Sequence, residues 1–425
     1  MAVMSPAAHF SRLMLLAGLV LGLVVGLTAP AHGAGEAAEK RGLETYVFGS
    51  WAYGDTDGLS FATGDEDGEY ENFALALNLS RTLSDRLRVA GQLEFLSTDE
   101  DDEELEVQLD FLFASYQALG GTVRLGRIQH PFGIYSEVFD VGVLRPFIDL
   151  APSMYGSVGV AGEAVDGIGY SVENAVGEWS LAYDLYFGRL KLEASEPWDL
   201  LGDDDDEGEG DDDDDEEGEE EESFIETKDR DDVIGGRLVV TAPDPRFRFG
   251  LSAFHGTNQD EELGESTGEE LENFAVGAQV EFEGEKSLVR AEIYHLDEED
   301  EVEADGFYIE LGRFVSERWQ LVARWDQVET EILEFELDDD FDSLTEHEGL
   351  ALGVNWWITP TAVVKFAVHQ LDGNRFALPE EFAEVLEEAI EEAEESAFDD
   401  DEGELDELPF DDETTLVEVG LQFSF

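Results

Sequence analysis

The sequence predicts an all-β protein, a sixteen-stranded antiparallel transmembrane β-barrel, and three observations lead to this prediction. Sixteen segments alternate apolar and polar side chains with the period of two that is typical of strands. The connections alternate between short turns and long loops, which is the layout of a membrane barrel with short turns on one rim. The chain also begins with a segment of the kind that directs export.

The alternation extends over ten or more residues in many segments, which excludes helical periodicity there. Within residues 105–116, for example, apolar side chains occupy every second position from Leu105 to Phe113, and Glu106, Gln108 and Asp110 lie between them. In this reading Leu109, Phe111 and Phe113 share one face of a strand. The predicted strands lie near 43–53, 70–81, 86–97, 105–117, 121–129, 166–174, 178–190, 231–241, 246–256, 272–283, 286–296, 305–314, 318–329, 348–358, 361–371 and 414–425.

The N-terminus has the pattern of a signal peptide. Arg12 precedes the apolar run Leu13–Leu27, and the small residues Ala29–Ala31 match an A-x-A cleavage pattern. We therefore predict a signal peptide over 1–34, with cleavage between 31 and 34, and a single barrel over 35–425. No other run is long and apolar enough for a membrane helix, so a membrane-embedded mature chain would cross with strands.

The charge excludes several classes of protein. The chain has 105 acidic and 23 basic residues and a formal net charge of −82, so it repels the phosphate backbone and a nucleic-acid partner is not expected. A surface adapted to strong salt, as in halophiles, explains such a charge. The 42% hydrophobic content argues against disorder for most of the chain. The lack of cysteine excludes disulfides and thiolate metal sites.

The long connections are predicted to form acidic extracellular loops, with the largest insertions near 191–230 and 372–413. Asp203–Glu222 consists of carboxylates and glycine, without the ligand spacing of an EF-hand or a calcium-binding repeat. We interpret it as a solvated coat, and we predict no metal site and no cofactor. Residues 379–398 have helical periodicity and predict a short amphipathic helix in the last loop.

The loop between the fifth and sixth strands, residues 130–165, differs from the other long loops. It is relatively apolar and contains Pro131, Pro146 and Pro152. An apolar loop of this length in a barrel is expected to fold inward and pack on the wall. We call it the third loop.

Two segments resemble known outer-membrane proteins. The final strand ends in Phe425 and resembles the terminal strand that the outer-membrane assembly machinery recognises, so the resemblance makes Phe425 a candidate assembly signal. Residues 124–156 resemble the strand-and-loop segment of the trimeric Gram-negative porins, which are distantly allied to the phosphate-selective porins. The matching positions are Gly126, Arg127, Pro131, Phe132, Gly133, Tyr135, Asp140, Arg145, Pro146, Pro152 and Tyr155.

This resemblance implies a sixteen-stranded homotrimer in the outer membrane, surrounded by lipid, with the third loop as its constriction. It makes Glu137, Asp140, Arg145 and Asp149 candidate constriction residues; alternatively, Arg145 pairs with a neighbouring carboxylate and simply anchors the loop. Lumen-wall charges are predicted at Arg88, Arg124, Arg237, Arg248, Arg290, Arg324 and Lys365. These side chains either set a transverse field across the pore or form neutralising pairs with carboxylates, and the sequence leaves both readings open.

The predicted function is passive diffusion of small hydrophilic solutes or ions through a water-filled channel. The first alternative is a non-conducting barrel whose acidic loops form a cation-binding or protective coat. The second alternative is an outer-membrane hydrolase. The histidines are scattered along the chain and no GxSxG, HExxH or P-loop motif occurs, so we predict that the chain is not an enzyme.

Overall fold

The chain forms one closed barrel in which every strand pairs antiparallel with its neighbours along the chain. The computed structural model describes residues 42–56, 69–97, 106–155, 160–162, 164–190, 230–262, 265–299, 302–332, 342–376 and 412–425. The strands are β1 (Leu43–Asp55), β2 (Glu69–Thr82), β3 (Leu87–Ser97), β4 (Glu106–Ala118), β5 (Gly121–Gln129), β6 (Ala164–Val176), β7 (Trp179–Leu190), β8 (Arg230–Thr241), β9 (Phe247–Glu262), β10 (Glu265–Glu283), β11 (Ser287–Glu298), β12 (Val302–Phe314), β13 (Trp319–Ile332), β14 (Glu346–Thr359), β15 (Ala362–Asp372) and β16 (Glu413–Ser424).

The predicted fold class is confirmed, because each of the sixteen predicted strands coincides with one of these elements. The barrel closes where β1 pairs with β16, with Phe48 opposite Ser424 and Asp55 opposite Val417. Closure satisfies the backbone groups that a sheet edge would leave open to lipid. The C-terminus extends this seam, since the Phe425 amide donates to the Val47 carbonyl at 2.9 Å and the Val47 amide donates back at 3.1 Å.

The predictions of long loops after β9 and after β11 are wrong, because the strands extend into both segments. The strands β9 and β10 continue to Glu262 and Glu265, so most of the acidic segment 257–271 belongs to a hairpin. Similarly, β11 ends at Glu298 and β12 begins at Val302. The prediction ended these strands where apolar alternation stops. Backbone pairing continues beyond that point, because the hydrogen bonds between antiparallel strands join main-chain groups and do not require apolar side chains.

The apolar face of the strands points outward and the polar face lines the lumen. Outward residues such as Leu251, Ile293 and Leu352 are more than half exposed, whereas Arg324 and Glu418 on inward positions are buried. Four tryptophans point outward, namely Trp179, Trp319, Trp325 and Trp356, and Trp319 stacks on Trp356. Trp357 instead faces inward, where its Nε1 donates to Gln320 Oε1 at 3.2 Å.

A β-bulge in β4 corrects one more prediction. Gln92 of β3 lies opposite Phe111 and the next residue, Leu93, lies opposite Leu109, so Asp110 is the extra residue. The insertion reverses the alternation, and Phe111 and Phe113 therefore point into the lumen rather than sharing a face with Leu109. Arg127, one of the residues on which the porin resemblance rests, donates to the Leu109 carbonyl beside the bulge at 2.9 Å.

Helical structure is minor in the described part of the chain. It comprises the 3₁₀ turn Gly142–Leu144, helix α1 (Pro152–Tyr155) and helix α2 (Asp342–Thr345). No described helix has the length and hydropathy to cross a membrane. The predicted signal peptide, the acidic run 203–222 and the predicted helix 379–398 lie outside the described residues.

Candidate functional site in the barrel lumen

The third loop folds into the lumen, as its apolar composition predicts. Phe132, Tyr135, Phe147 and Met154 are almost fully buried, and most of these side chains pack against lumenal residues of the wall. Such burial stabilises each large apolar side chain by about 1.5–3 kcal/mol. The loop therefore rests on the wall as a packed layer rather than hanging freely in the pore.

Lys365 on β15 is the most highly connected anchor of the loop. Its Nζ donates to the carbonyls of Gly142, Arg145 and Phe147 at 2.9, 2.7 and 2.6 Å. A lysine ammonium has three N–H donors, so all of them are used. The side chain is 1% exposed, which places its charge beneath the loop and away from the open lumen.

Three arginines of the wall hold the loop in the same manner. Each donates to a loop carbonyl while also lying close to a wall or loop carboxylate. The bonds run from Arg237 Nη1 to Gly133 O at 3.1 Å, from Arg290 Nη1 to Leu144 O at 2.9 Å and from Arg324 Nη1 to Asp149 O at 2.9 Å. For these arginines and Lys365, the structure supports anchoring and pairing rather than an exposed wall of positive charge.

Neutral amides on β14 and β16, the two strands that flank β15, complete the attachment. Asn355 Nδ2 on β14 donates to the Pro146 carbonyl at 2.8 Å, and Gln422 Nε2 on β16 donates to the Ile148 carbonyl at 3.1 Å. Since a buried carbonyl without a donor costs free energy, these bonds allow an irregular segment to lie inside the barrel.

Glu292 on β11 holds both ends of the loop together. Its carboxylate accepts from the Ile134 amide at 2.8 Å, from Tyr155 Oη at 2.5 Å and from Tyr308 Oη at 2.6 Å. Tyr155 Oη also accepts from the Ile134 amide at 2.9 Å, so the start and end of the loop meet at one point. A carboxylate provides enough acceptor sites for several donors.

A second buried contact lies beside it. Tyr135 Oη donates to Glu310 Oε2 at 2.5 Å and accepts from Arg290 Nη1 at 2.7 Å. The guanidinium carbon of Arg290 also lies 4.8 Å from the centre of the Tyr135 ring. This contact orders the first half of the loop against β11 and β12.

The four candidate constriction residues lie in different surroundings. Glu137 pairs with Arg237 at 2.6 Å and with Arg124 at 3.6 Å, so it faces two basic residues of the predicted set. Burial opposes its ionisation, but these guanidinium groups outweigh burial and lower the pKa of Glu137. Glu137 is therefore a paired carboxylate at the edge of the loop.

Asp140 reaches the opposite wall. Gln92 Nε2 on β3 donates to Asp110 Oδ2 at 2.6 Å and also to Asp140 Oδ2. The loop thus crosses the barrel from β11 and β12 to β3 and β4, and two carboxyl groups meet at the crossing. Burial raises the pKa of Asp140, although Asp110, Arg145 and Gln92 oppose the rise.

Arg145 and Asp149 lie on the segment near β15 and β16. Arg145 Nη1 donates to the Phe139 carbonyl at 3.2 Å, which agrees with the anchoring alternative for this residue. Asp149 is open to the lumen. Desolvation by the surrounding protein raises the pKa of Asp149 well above its ordinary value, and the neighbouring Glu418 raises it further, while Arg145 and Arg324 oppose the rise.

Two predicted wall charges lie away from the loop. Arg88 pairs with Glu44 at 2.8 Å near the short-turn rim, and both side chains are about half exposed. Arg248 lies one residue inside β9 at the same rim and pairs with Glu281 at 2.8 Å. Both belong to the lumenal face, but neither contacts the third loop in the described structure.

His130 is a buried histidine whose role is to connect parts of the structure rather than to carry out chemistry. Its ring nitrogens lie 3.2 Å from the Gly162 carbonyl and 2.8 Å from Tyr186 Oη. Burial lowers the pKa of His130 to about 3, so the ring is neutral and joins the two ends of the loop. Among the described residues, no group of three or more His, Cys, Asp or Glu side chains is arranged to hold a metal ion.

The sequence did not indicate that the amide side chains of Gln92, Asn355 and Gln422 bind the third loop. It also did not indicate that Glu292 joins the start and the end of the loop. The structure places Glu292 on the lumenal face, together with Glu94, Asp110, Asp326 and Glu418. The signal for Tyr155 was its place in the porin-like motif. Nothing in the local sequence of Gln92, Asn355 or Gln422 indicates a loop contact.

Comparison with known proteins supports the fold without close sequence relatives. No protein-family model and no curated protein matches the chain. The structure is similar to the in-vitro folded outer-membrane protein OmpT of Vibrio cholerae in its trimer form, with a TM-score of 0.52 and 12% identity over 90% of this chain and 99% of that one. The chain has the fold of the outer-membrane porins.

Two further structures lead to the same conclusion. The anion-selective porin from Comamonas acidovorans has a TM-score of 0.51 and 10% identity over 90% of this chain and 99% of that one. The outer-membrane channel DcaP of Acinetobacter baumannii has a TM-score of 0.52 and 8% identity over 90% and 97% of the respective chains. The suspected resemblance to porins is thus confirmed at the level of the fold, and the predicted outer-membrane location agrees with these neighbours.

Proposed function

We propose that the protein is an outer-membrane channel for passive diffusion of small hydrophilic solutes or ions, with residues 129–165 forming its constriction. The main support is the attachment of the third loop across the lumen to β3, β8, β11, β13, β14, β15 and β16. A loop fixed at this many points narrows the lumen permanently. Narrowing combined with local charge is how such pores select solutes.

Conductance tests this proposal directly. Purified protein added to a planar lipid bilayer should produce stepwise current increases that persist across salt concentrations. The steps should be small for a sixteen-stranded barrel, because the loop occupies much of the lumen. Absence of steps across a wide salt range would exclude the channel.

A non-conducting barrel is the second candidate. It is favoured by the burial of lumenal wall side chains beneath the third loop, which fills part of the lumen. On the wall opposite β11 and β12, Gln92 is 3% exposed and donates to Asp140 Oδ2, so the loop covers part of the wall there. In this case the acidic loops would form the functional surface as a coat. Swelling of proteoliposomes in isotonic sugar solution separates the candidates, since only an open channel admits the sugar.

We also propose that Phe425 acts during assembly in the outer membrane and that the mature protein is a homotrimer. The C-terminal aromatic side chain is largely exposed, so folding of the monomer does not account for it. The trimer form of the Vibrio cholerae neighbour supports the second part. No partner is present in the structure, and a chemical cross-linking ladder of the purified protein would count the subunits.

Replacement of Phe425 with alanine should reduce the amount of barrel inserted in the outer membrane several-fold while changing the stability of the inserted barrel little. The expected stability loss is small because the ring is exposed, and its backbone bonds to Val47 remain. Phe247→Ala removes a partly exposed outward ring at the same rim and serves as the control. Equal insertion of both variants would contradict an assembly role.

A further inference from the structure

We infer that the channel selects cations over anions and that Asp140 and Asp149 on the third loop carry this selectivity. The inference rests on the proposed channel function. It concerns the sign of the charge that a permeating ion meets at the constriction. One structural neighbour is described as an anion-selective porin, so the fold by itself does not impose cation selectivity.

The first step is the burial of the positive charges. Arg237, Arg290, Arg324 and Lys365 are each 9% exposed or less. Their donors point toward loop carbonyls, so the loop backbone lies between them and the lumen. An ion in the lumen therefore passes the loop surface and does not contact these groups.

The second step is their neutralisation by carboxylates of the wall. Arg237 lies 3.1 Å from Asp184, Arg324 lies 3.2 Å from Asp326, and Arg290 lies 3.5 Å from Glu281. A closely paired charge has a weak field at distances larger than the pair itself. These three arginines of the predicted wall thus contribute little to the field in the lumen.

The third step is the placement of the loop carboxylates. Asp140 is half-buried beside Asp110, and Asp149 is open to the lumen beside Glu418. Arg145 is the loop's own basic residue, and its charge acts on both Asp140 and Asp149. The loop and the wall beside it thus present the carboxyl groups of Asp140, Asp110, Asp149 and Glu418, against the single guanidinium of Arg145.

The fourth step is the charge of the whole chain. With 105 acidic and 23 basic residues, the protein surrounds the pore with a negative field that concentrates cations at its entrance. This field weakens with salt, because the Debye length falls from about 10 Å at 0.1 M to about 3 Å at 1 M. Charges within the narrow lumen are screened less, so the two contributions can be separated by salt concentration.

The test is the reversal potential of purified protein in a planar bilayer under a KCl gradient. We expect a potassium-to-chloride permeability ratio of about five or more near 0.1 M, and a smaller but still cation-favouring ratio near 1 M. In the double variant Asp140→Asn and Asp149→Asn, the ratio near 1 M should fall at least about twofold. A wild-type ratio at or below unity would falsify the inference.

A matched control excludes a general effect of charge. Asp305→Asn removes one carboxylate from the outward face of β12, where the side chain is 75% exposed and lies outside the lumen. Its reversal potential should equal that of the wild type. If the double variant also matches the wild type, the loop carboxylates do not set the selectivity. Absence of all current overturns the channel and this inference together, whereas anion-favouring current overturns the inference alone.

Discussion

Replacement of Lys365 with methionine should loosen the third loop and increase the single-channel conductance. The variant keeps a long apolar side chain but removes the donor for the carbonyls of Gly142, Arg145 and Phe147. Leaving these buried acceptors without a donor costs roughly 2–5 kcal/mol, and the loop regains that free energy by moving into water. We expect larger and noisier conductance steps, together with a lower temperature of thermal unfolding.

The matched control is Lys286→Met, which removes an exposed ammonium from the turn between β10 and β11. It makes the same chemical change far from the loop and should alter neither conductance nor stability. Unchanged conductance in Lys365→Met, despite lower stability, would mean that the loop stays in place without this anchor and that β15 merely supports it.

Replacement of Glu292 should have the largest effect on stability. Glu292→Leu leaves the Ile134 amide and the hydroxyls of Tyr155 and Tyr308 without their shared acceptor in a buried site. The expected loss is roughly 3–5 kcal/mol of unfolding free energy, since hydrogen bonds to a charged group are strong and the abandoned donors are buried. Glu292→Gln retains one acceptor oxygen and should lose about 1–2 kcal/mol.

Unfolding of the purified barrel in denaturant measures these differences, and protease cleavage within the third loop reports its release. Glu303→Leu on the outward face of β12 is the control, because this side chain is exposed and outside the lumen. If Glu292→Leu and Glu303→Leu had equal stability, the carboxylate would not be holding the loop.

The strands could be predicted from sequence because their signal is local. Period-two alternation over ten residues specifies a strand wherever it occurs, and its sixteen occurrences specified the barrel. The inward fold of the third loop was also predictable, since an apolar segment does not remain in water beside acidic loops. The bulge at Asp110 could not be predicted from the sequence. One inserted residue leaves the side chains of each half of β4 alternating between the two faces, so the local pattern still looks like that of a regular strand.

The candidate site was predictable only in part. Glu137, Asp140, Arg145 and Asp149 were selected by resemblance, and the structure places them on the loop inside the lumen. Whether the wall arginines face the pore or hold the loop could not be decided from sequence. That choice depends on which carbonyls lie nearby, and the loop conformation that brings them there is set by contacts across the barrel.

The contacts of the third loop also constrain the order of folding. Ile134 bonds to a residue 158 positions later in the chain, and Gly142 bonds to one 223 positions later. Contacts this distant form slowly and only after the intervening strands have assembled. Since Gln422 of β16 holds the loop and β16 also seals the seam with β1, the last loop contact requires the strand that closes the barrel. We therefore expect proteases to cleave the third loop more readily in chains whose barrel has not closed.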